Sequence, residues 1–198
     1  MQQLDIISRT PPEKTFRIAN VIGTYDLQTS KIEEHFVGDL DLPEKWNIGL
    51  IVGRSGSGKT TIARELFGDY IIDKYDYTHD NILDDMPSGV PMTDIYKTLN
   101  SCGFSSPPSW LKPYSVLSNG EKMRCDIARA CLEQRDMIVF DEFTSVVDRT
   151  VAQIGSFALQ KAIRRNGKTF IAVTCHYDVH AWLMPDWVFN PATMPFQS

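Results

Sequence analysis

The sequence predicts an α/β fold with a mainly parallel sheet, on three observations. Short apolar runs (NIGLIV at 47–52, MIVF at 137–140, TFIAVTC at 169–175) have the length and continuous hydrophobicity of strands buried on both faces. Stretches with helical spacing separate these runs, which is the alternation of a parallel sheet with crossover helices. A glycine-rich loop joins the first run to a helix, and in such folds the loops at the carboxyl ends of the strands hold the ligand.

In chain order, residues 1–14 are polar, carry Pro11-Pro12, and read as a loose lead-in. Residues 15–25, TFRIANVIGTY, are rich in β-branched and aromatic types and read as one or two strands of a small antiparallel β lead-in. After NIGLIV, Thr60 to Phe67 reads as a helix. YIIDKYDY and NILDD, within 70–85, read as two further strands. Residues 86–113 hold five prolines, with a short helical stretch around Met92–Leu99, and read as a small inserted subdomain. The helix expected over 118–134 places Met123, Ile127, Ala130 and Cys131 on one face. A second helix over 150–165 ends at Gly167, and WVFN near the C-terminus reads as a last strand. The domain expected is 15–198, with 86–134 as its shortened helical subdomain.

The chain has 198 residues, enough for one domain with a sizeable core. Twenty-five acids against twenty bases give a net charge of −5, which calls for no nucleic-acid or anionic-membrane partner. Lys161, Arg164, Arg165 and Lys168 form a basic cluster at a helix end, where cations complement the helix dipole, with nucleic-acid contact as the alternative reading. The four cysteines, Cys102, Cys125, Cys131 and Cys175, form no C-x-x-C pair and no zinc spacing, and read as structural thiols of a reducing cytosol. The first residues lack the apolar core of a secretory signal, and no run approaches the ~20 apolar residues of a membrane span. A cytoplasmic location is expected.

The chemistry concentrates in two places. Gly53-Arg54-Ser55-Gly56-Ser57-Gly58-Lys59-Thr60 matches G-x-x-x-x-G-K-[ST] and lies between a strand and a helix, the context a phosphate-binding loop needs. Its glycines let successive amides turn toward phosphate oxygens, and the next helix, with Thr61 in its first turn, presents its positive end to the same anion. Lys59 reaches the β- and γ-phosphates, and the Thr60 hydroxyl can ligate Mg²⁺. Asp141 and Glu142 follow the MIVF strand directly: the first can hold the Mg²⁺ shell, and the second is placed to polarise water. Ser118-Asn119-Gly120-Glu121 opens a helix as a capping box, and a capped helix start beside a glycine is itself an anion site.

With these residues in view, the chain resembles the ABC-type ATPases. LSNGE (117–121) looks like the family's signature, followed by Arg124, Ala128 and Arg129 at the expected spacing. Asp141-Glu142 looks like the Walker B end, Ser145 to Asp148 like the D-loop, and Cys175-His176 like the switch histidine. The likeness spans about residues 15–190. It implies a homodimer formed on ATP binding, ATP and Mg²⁺ as cofactors, and Glu142, His176 and Lys59 as catalytic residues. In it Ser118, Asn119, Gly120 and Glu121 contact ATP held by the other subunit, and an upstream aromatic stacks on adenine: Tyr25, with Phe16 and Phe36 as alternatives.

Two departures stand out. No glutamine lies between Lys59 and Ser118, so the family's Q-loop residue is missing, and Asp84 or Asp85 is the substitute at an expected NILDD strand end. The interval, 118 − 59 = 59 residues, is shorter than transporter ATPases use, which points away from a transporter subunit. In 141–155, 160–168 and 175–191 the chain is most similar to soluble ABC ATPases fused to or associated with GNAT-type acetyltransferases, implying such a partner on another chain. The resemblance leaves a transporter ATPase and a nucleic-acid maintenance ATPase as alternatives.

Overall fold

The computed structural model describes residues 2–9, 15–26, 33–40, 42–72, 75–133 and 135–193. Its elements are β1 (Gln2–Arg9), α1 (Phe16–Tyr25), β2 (Glu33–Leu40), β3 (Ile48–Val52), α2 (Lys59–Phe67), β4 (Ile71–Ile72), α3 (Met92–Ser101), α4 (Pro107–Trp110), α5 (Asn119–Leu132), β5 (Met137–Phe140), α6 (Arg149–Asn166), β6 (Thr169–Thr174), α7 (Val179–Leu183) and β7 (Trp187–Phe189). The main sheet runs β4-β5-β6-β3-β7, with every described pairing parallel.

β3 lies between β6 and β7, and all five of its residues are buried. Its side chains alternate between two cores. Ile48, Leu50 and Val52 pack with Phe170, Ala172 and residues of α3, α5, α6 and α7. Ile51 packs on the other face with Ile62, Ala63 and Phe67 of α2 and with Ile171 and Val173. Burial on both faces is why the three runs are apolar throughout rather than alternating.

Register decides where the loops emerge. Val52 pairs with Thr174, and Phe140 pairs with Ala172. The glycine-rich loop, Asp141-Glu142 and Cys175-His176 therefore leave the sheet at one edge, from three adjacent strands.

Both long helices are capped as their sequences suggest. Ser118 and Glu121 form the reciprocal capping box of α5. The Asp148 carboxylate accepts from the Val151 amide at 3.0 Å at the start of α6, and Gly167 ends that helix in the left-handed region. The two helices touch at Gly120, where a Cβ would lie 2.6 Å from Val151 Cγ1. The basic cluster is partly committed to tying neighbouring segments: Arg164 donates to Asp186 at 3.0 Å, and Lys168 Nζ donates to the carbonyl of Arg135 at 3.0 Å.

Four expectations are corrected. Residues 2–9 form β1, antiparallel to β2, where a loose lead-in was expected; Pro11-Pro12 lies outside the described residues. Residues 16–25 form a helix rather than strands. Ile18, Val21, Ile22 and Tyr25 recur at helical spacing, and Thr15 caps the first turn. NILDD is a series of bends and turns, because the Asn81 side chain accepts the Asp84 amide at 3.0 Å and closes a turn in place of a ladder bond. In YIIDKYDY only Ile71–Ile72 is strand among the described residues. α4 and α7 were not foreseen.

Candidate active site

The loop is organised by its own backbone. The Gly53 amide donates to the Thr174 carbonyl at 3.3 Å, and the Ser57 amide donates to Arg54 at 3.2 Å. Gly56 and Gly58 hold φ of 76° and 79°, which only glycine takes without strain, and Gly58 delivers the chain into α2. Lys59 is buried at 6% exposure, with its Nζ donating to the Arg54 carbonyl at 2.8 Å. A cavity of about 350 Å³ opens here, lined by Ser55, Gly56, Gly58, Lys59, Thr60, Thr61, Glu142 and Cys175. A buried ammonium and the amide end of a nine-residue helix face one space, a donor set that fits a polyphosphate.

Thr60 Oγ1 donates to Asp141 Oδ1 at 3.2 Å, so the loop and the end of β5 meet through two hard oxygen ligands. Among the described residues no group of three His, Cys, Asp or Glu side chains gathers around a metal position. These two oxygens fit a hard cation such as Mg²⁺, which would take its remaining ligands from phosphate and water.

The turn after Asp141 is strained. Glu142 has φ 53° and Thr144 has φ 68°, while Phe143 between them is fully buried. Phe143 is the anchor: its amide donates to the Val173 carbonyl at 2.9 Å, and its ring meets Phe170 edge-on at 5.6 Å. Burying Phe143 swings the exposed Glu142 onto the cavity rim, where Ser145 Oγ donates to its Oε2 at 2.6 Å. No sequence signal marked Ser145 as the partner of Glu142.

Ser118, Asn119, Gly120 and Glu121 do not line the loop cavity of their own chain. Asn119, with Tyr114, Lys122 and Asp126, lines a second cavity of about 280 Å³ that also reaches Asp141 and Glu142. The Glu121 carboxylate accepts from Ser109 Oγ at 2.7 Å and from the Ser118 amide at 2.9 Å, and these donors hold its pKa below the usual range. Asp126 accepts from Tyr114 at 2.7 Å and Tyr77 at 2.8 Å, and burial raises its pKa to about 6.

The remaining expected residues fall as follows. The His176 amide donates to Thr174 Oγ1 at 3.2 Å, and the residue is half-buried at the strand end; its neighbour Cys175 is the one lining the cavity. Cys175, whose sequence context reads as a structural thiol, thus lines the same cavity as Lys59 and Glu142. Tyr25 ends α1, is 71% exposed, and does not line the cavity. Phe16 begins α1 and is exposed, whereas the Phe36 side chain lies outside the described residues. Asp84 holds the Asn81 amide group at 2.6 Å. Asp85 is buried and accepts from Thr78, from the His79 amide and from the His79 ring at 2.8 Å. Neither aspartate lines the loop cavity. The strand beside Asp141 is β4, which ends at Ile72, not the NILDD segment.

No family model matches the chain. Its fold is similar to that of dimeric MJ0796, a bacterial ABC transporter cassette, at 15% identity over 80% of this chain and 88% of that one, with a TM-score of 0.58. The dimeric post-hydrolysis state of the ATP-binding cassette MJ0796 bound to ADP and Pi is similar at 18% identity, over 79% of this chain and 87% of that one, with a TM-score of 0.60. A bacterial Atm1-family ABC exporter with ATP bound is similar at 20% identity over 75% of this chain and 33% of that one, with a TM-score of 0.56. The chain has the α/β P-loop fold of an ABC ATP-binding cassette. No helix among the described residues is long and apolar enough to cross a membrane.

Proposed function

We propose that this chain is a Mg-dependent ATPase that hydrolyses ATP in composite sites of a head-to-tail homodimer. The observation that carries this reading is the turn that sets Glu142 on the rim of the Lys59 cavity, beside the Thr60–Asp141 pair. Loop amides and Lys59 bind the phosphates. Thr60 and Asp141 would hold Mg²⁺, which would supply charge neutralisation at the phosphate oxygens when bound. Glu142, steadied by Ser145, polarises the attacking water, and His176 stabilises the γ-phosphate as charge moves. Ser118–Glu121 lie outside their own chain's cavity, so they act on a nucleotide held by the second copy, a reading the dimeric MJ0796 cassettes support.

The output we propose is cytoplasmic work on a protein partner rather than transport. The 59-residue interval before Ser118 supports this, and the resemblance in 141–155 points to a GNAT-type acetyltransferase on another chain. Residues 86–134 serve as the signature-bearing subdomain. The test is Glu142→Gln with ATP, followed by size exclusion and affinity capture. A long-lived ATP-dependent dimer without turnover supports the reading; a variant that hydrolyses ATP like wild type overturns it.

A further inference from the structure

Arg149 opens α6, immediately after the Asp148 cap, and uses every part of its guanidinium. Nε donates to Asp178 Oδ2 at 2.9 Å, Nη2 pairs with Asp178 Oδ1, and Nη1 donates to Thr144 Oγ1 at 3.4 Å. The group also lies over the Trp182 ring, 4.9 Å from its centroid. Its two polar partners have one thing in common. Thr144 is two residues after Glu142, and Asp178 is two residues after His176.

Stability alone is a poor reason for this arrangement. A cation in the first turn of a helix opposes the helix dipole. The two side chains are 38% and 46% exposed, a setting in which ion pairs add little. What the geometry does supply is a fixed link between two loops. The fork engages both oxygens of Asp178, a match that a lysine cannot make. It also reaches the buried Thr144 in its left-handed conformation, the second strained residue of the turn that presents Glu142.

We propose that Arg149 is a positioning residue for hydrolysis, fixing the Glu142 turn relative to the His176 strand end through Thr144 and Asp178. The inference rests on the ATPase reading above. Asp178 keeps its carboxylate ionised in spite of partial burial because Arg149 pairs with it. A displacement of this link shifts the water-polarising group relative to the phosphate while leaving the phosphate loop intact.

The experiment compares the full-length wild type with Arg149→Lys, Arg149→Ala and Asp178→Asn by steady-state ATP turnover, equilibrium ATP binding and thermal melting. The expected result is a kcat lower by roughly 10- to 100-fold in all three, with ATP affinity and KM within about threefold of wild type and little change in Tm. Asp178→Glu, which keeps the charge, restores part of kcat. If Arg149→Lys and Asp178→Asn turn over ATP like wild type, the positioning role is wrong. If kcat falls only together with Tm and ATP binding, Arg149 is a structural staple and the role is equally wrong. A wild type that turns over no ATP overturns the ATPase reading instead, and the positioning role falls with it.

Discussion

The Thr60 hydroxyl donates to the Asp141 carboxylate at 3.2 Å, joining two residues 81 positions apart in the chain. This bond spans the two halves of the site, since Thr60 belongs to the phosphate loop and Asp141 to the strand end that carries Glu142.

Asp141→Asn should therefore lower kcat by on the order of 100-fold and weaken the Mg²⁺ dependence, with ATP binding in the absence of Mg²⁺ largely kept. Titrating Mg²⁺ against turnover checks this. Lys59→Ala should instead abolish nucleotide binding itself, read by calorimetry.

Glu142 holds φ 53° while exposed, a conformation that costs a side chain about 1 kcal/mol. Glu142→Gly should eliminate turnover while leaving stability unchanged or raised by up to about 1 kcal/mol. Urea melts beside activity measurements would show the two properties moving apart; a variant that loses both refutes a functional origin for the strain.

Gly120 has a packing role, because α5 and α6 meet there. Gly120→Ala places a methyl 2.6 Å from Val151 Cγ1, a stiff β-branched neighbour on α6. The variant should lose about 1–3 kcal/mol, and Val151→Ala in the same chain should restore part of it. Thermal melts of the single and double variants decide.

Asp126 provides a pH signature. Burial raises its pKa from the ordinary 3.8 to about 6 in the folded protein, against two tyrosine donors that favour the ion. The folded state therefore binds the proton more tightly than the unfolded state. Stability from this group is present below about pH 4, falls as pH rises toward about 6, and stays lower above. Asp126→Asn should remove that decline, so the variant gains on wild type between pH 4 and 7. Denaturant midpoints across this range measure the difference, and parallel curves would dismiss it.

Much of the site is legible in the sequence because its determinants are local. Glycine spacing around Lys59, the acidic pair after MIVF, and the Ser118/Glu121 box each lie within a few residues. What stayed hidden depends on distant partners. β1 exists through pairing of Gln2 with Leu40, across a helix that β-branched residues disguise. Asn81 decides against a strand by capturing an amide three residues on. Ser145's hold on Glu142 follows from burying Phe143, which no short window reveals. Cys175 becomes a cavity residue only because β6 lies beside β3 in one particular register.

That register acts as a ruler for the site. A residue inserted in β6 would move Cys175 and His176 along β3 and turn every following side chain to the opposite core. An insertion in the proline-rich stretch between α3 and α5 shifts no strand against another. Length variation should thus be tolerated in that proline-rich stretch and penalised within the three central strands. The alignment of Lys59, Asp141 and Cys175 is inherited from backbone pairing more than from the loops that display them.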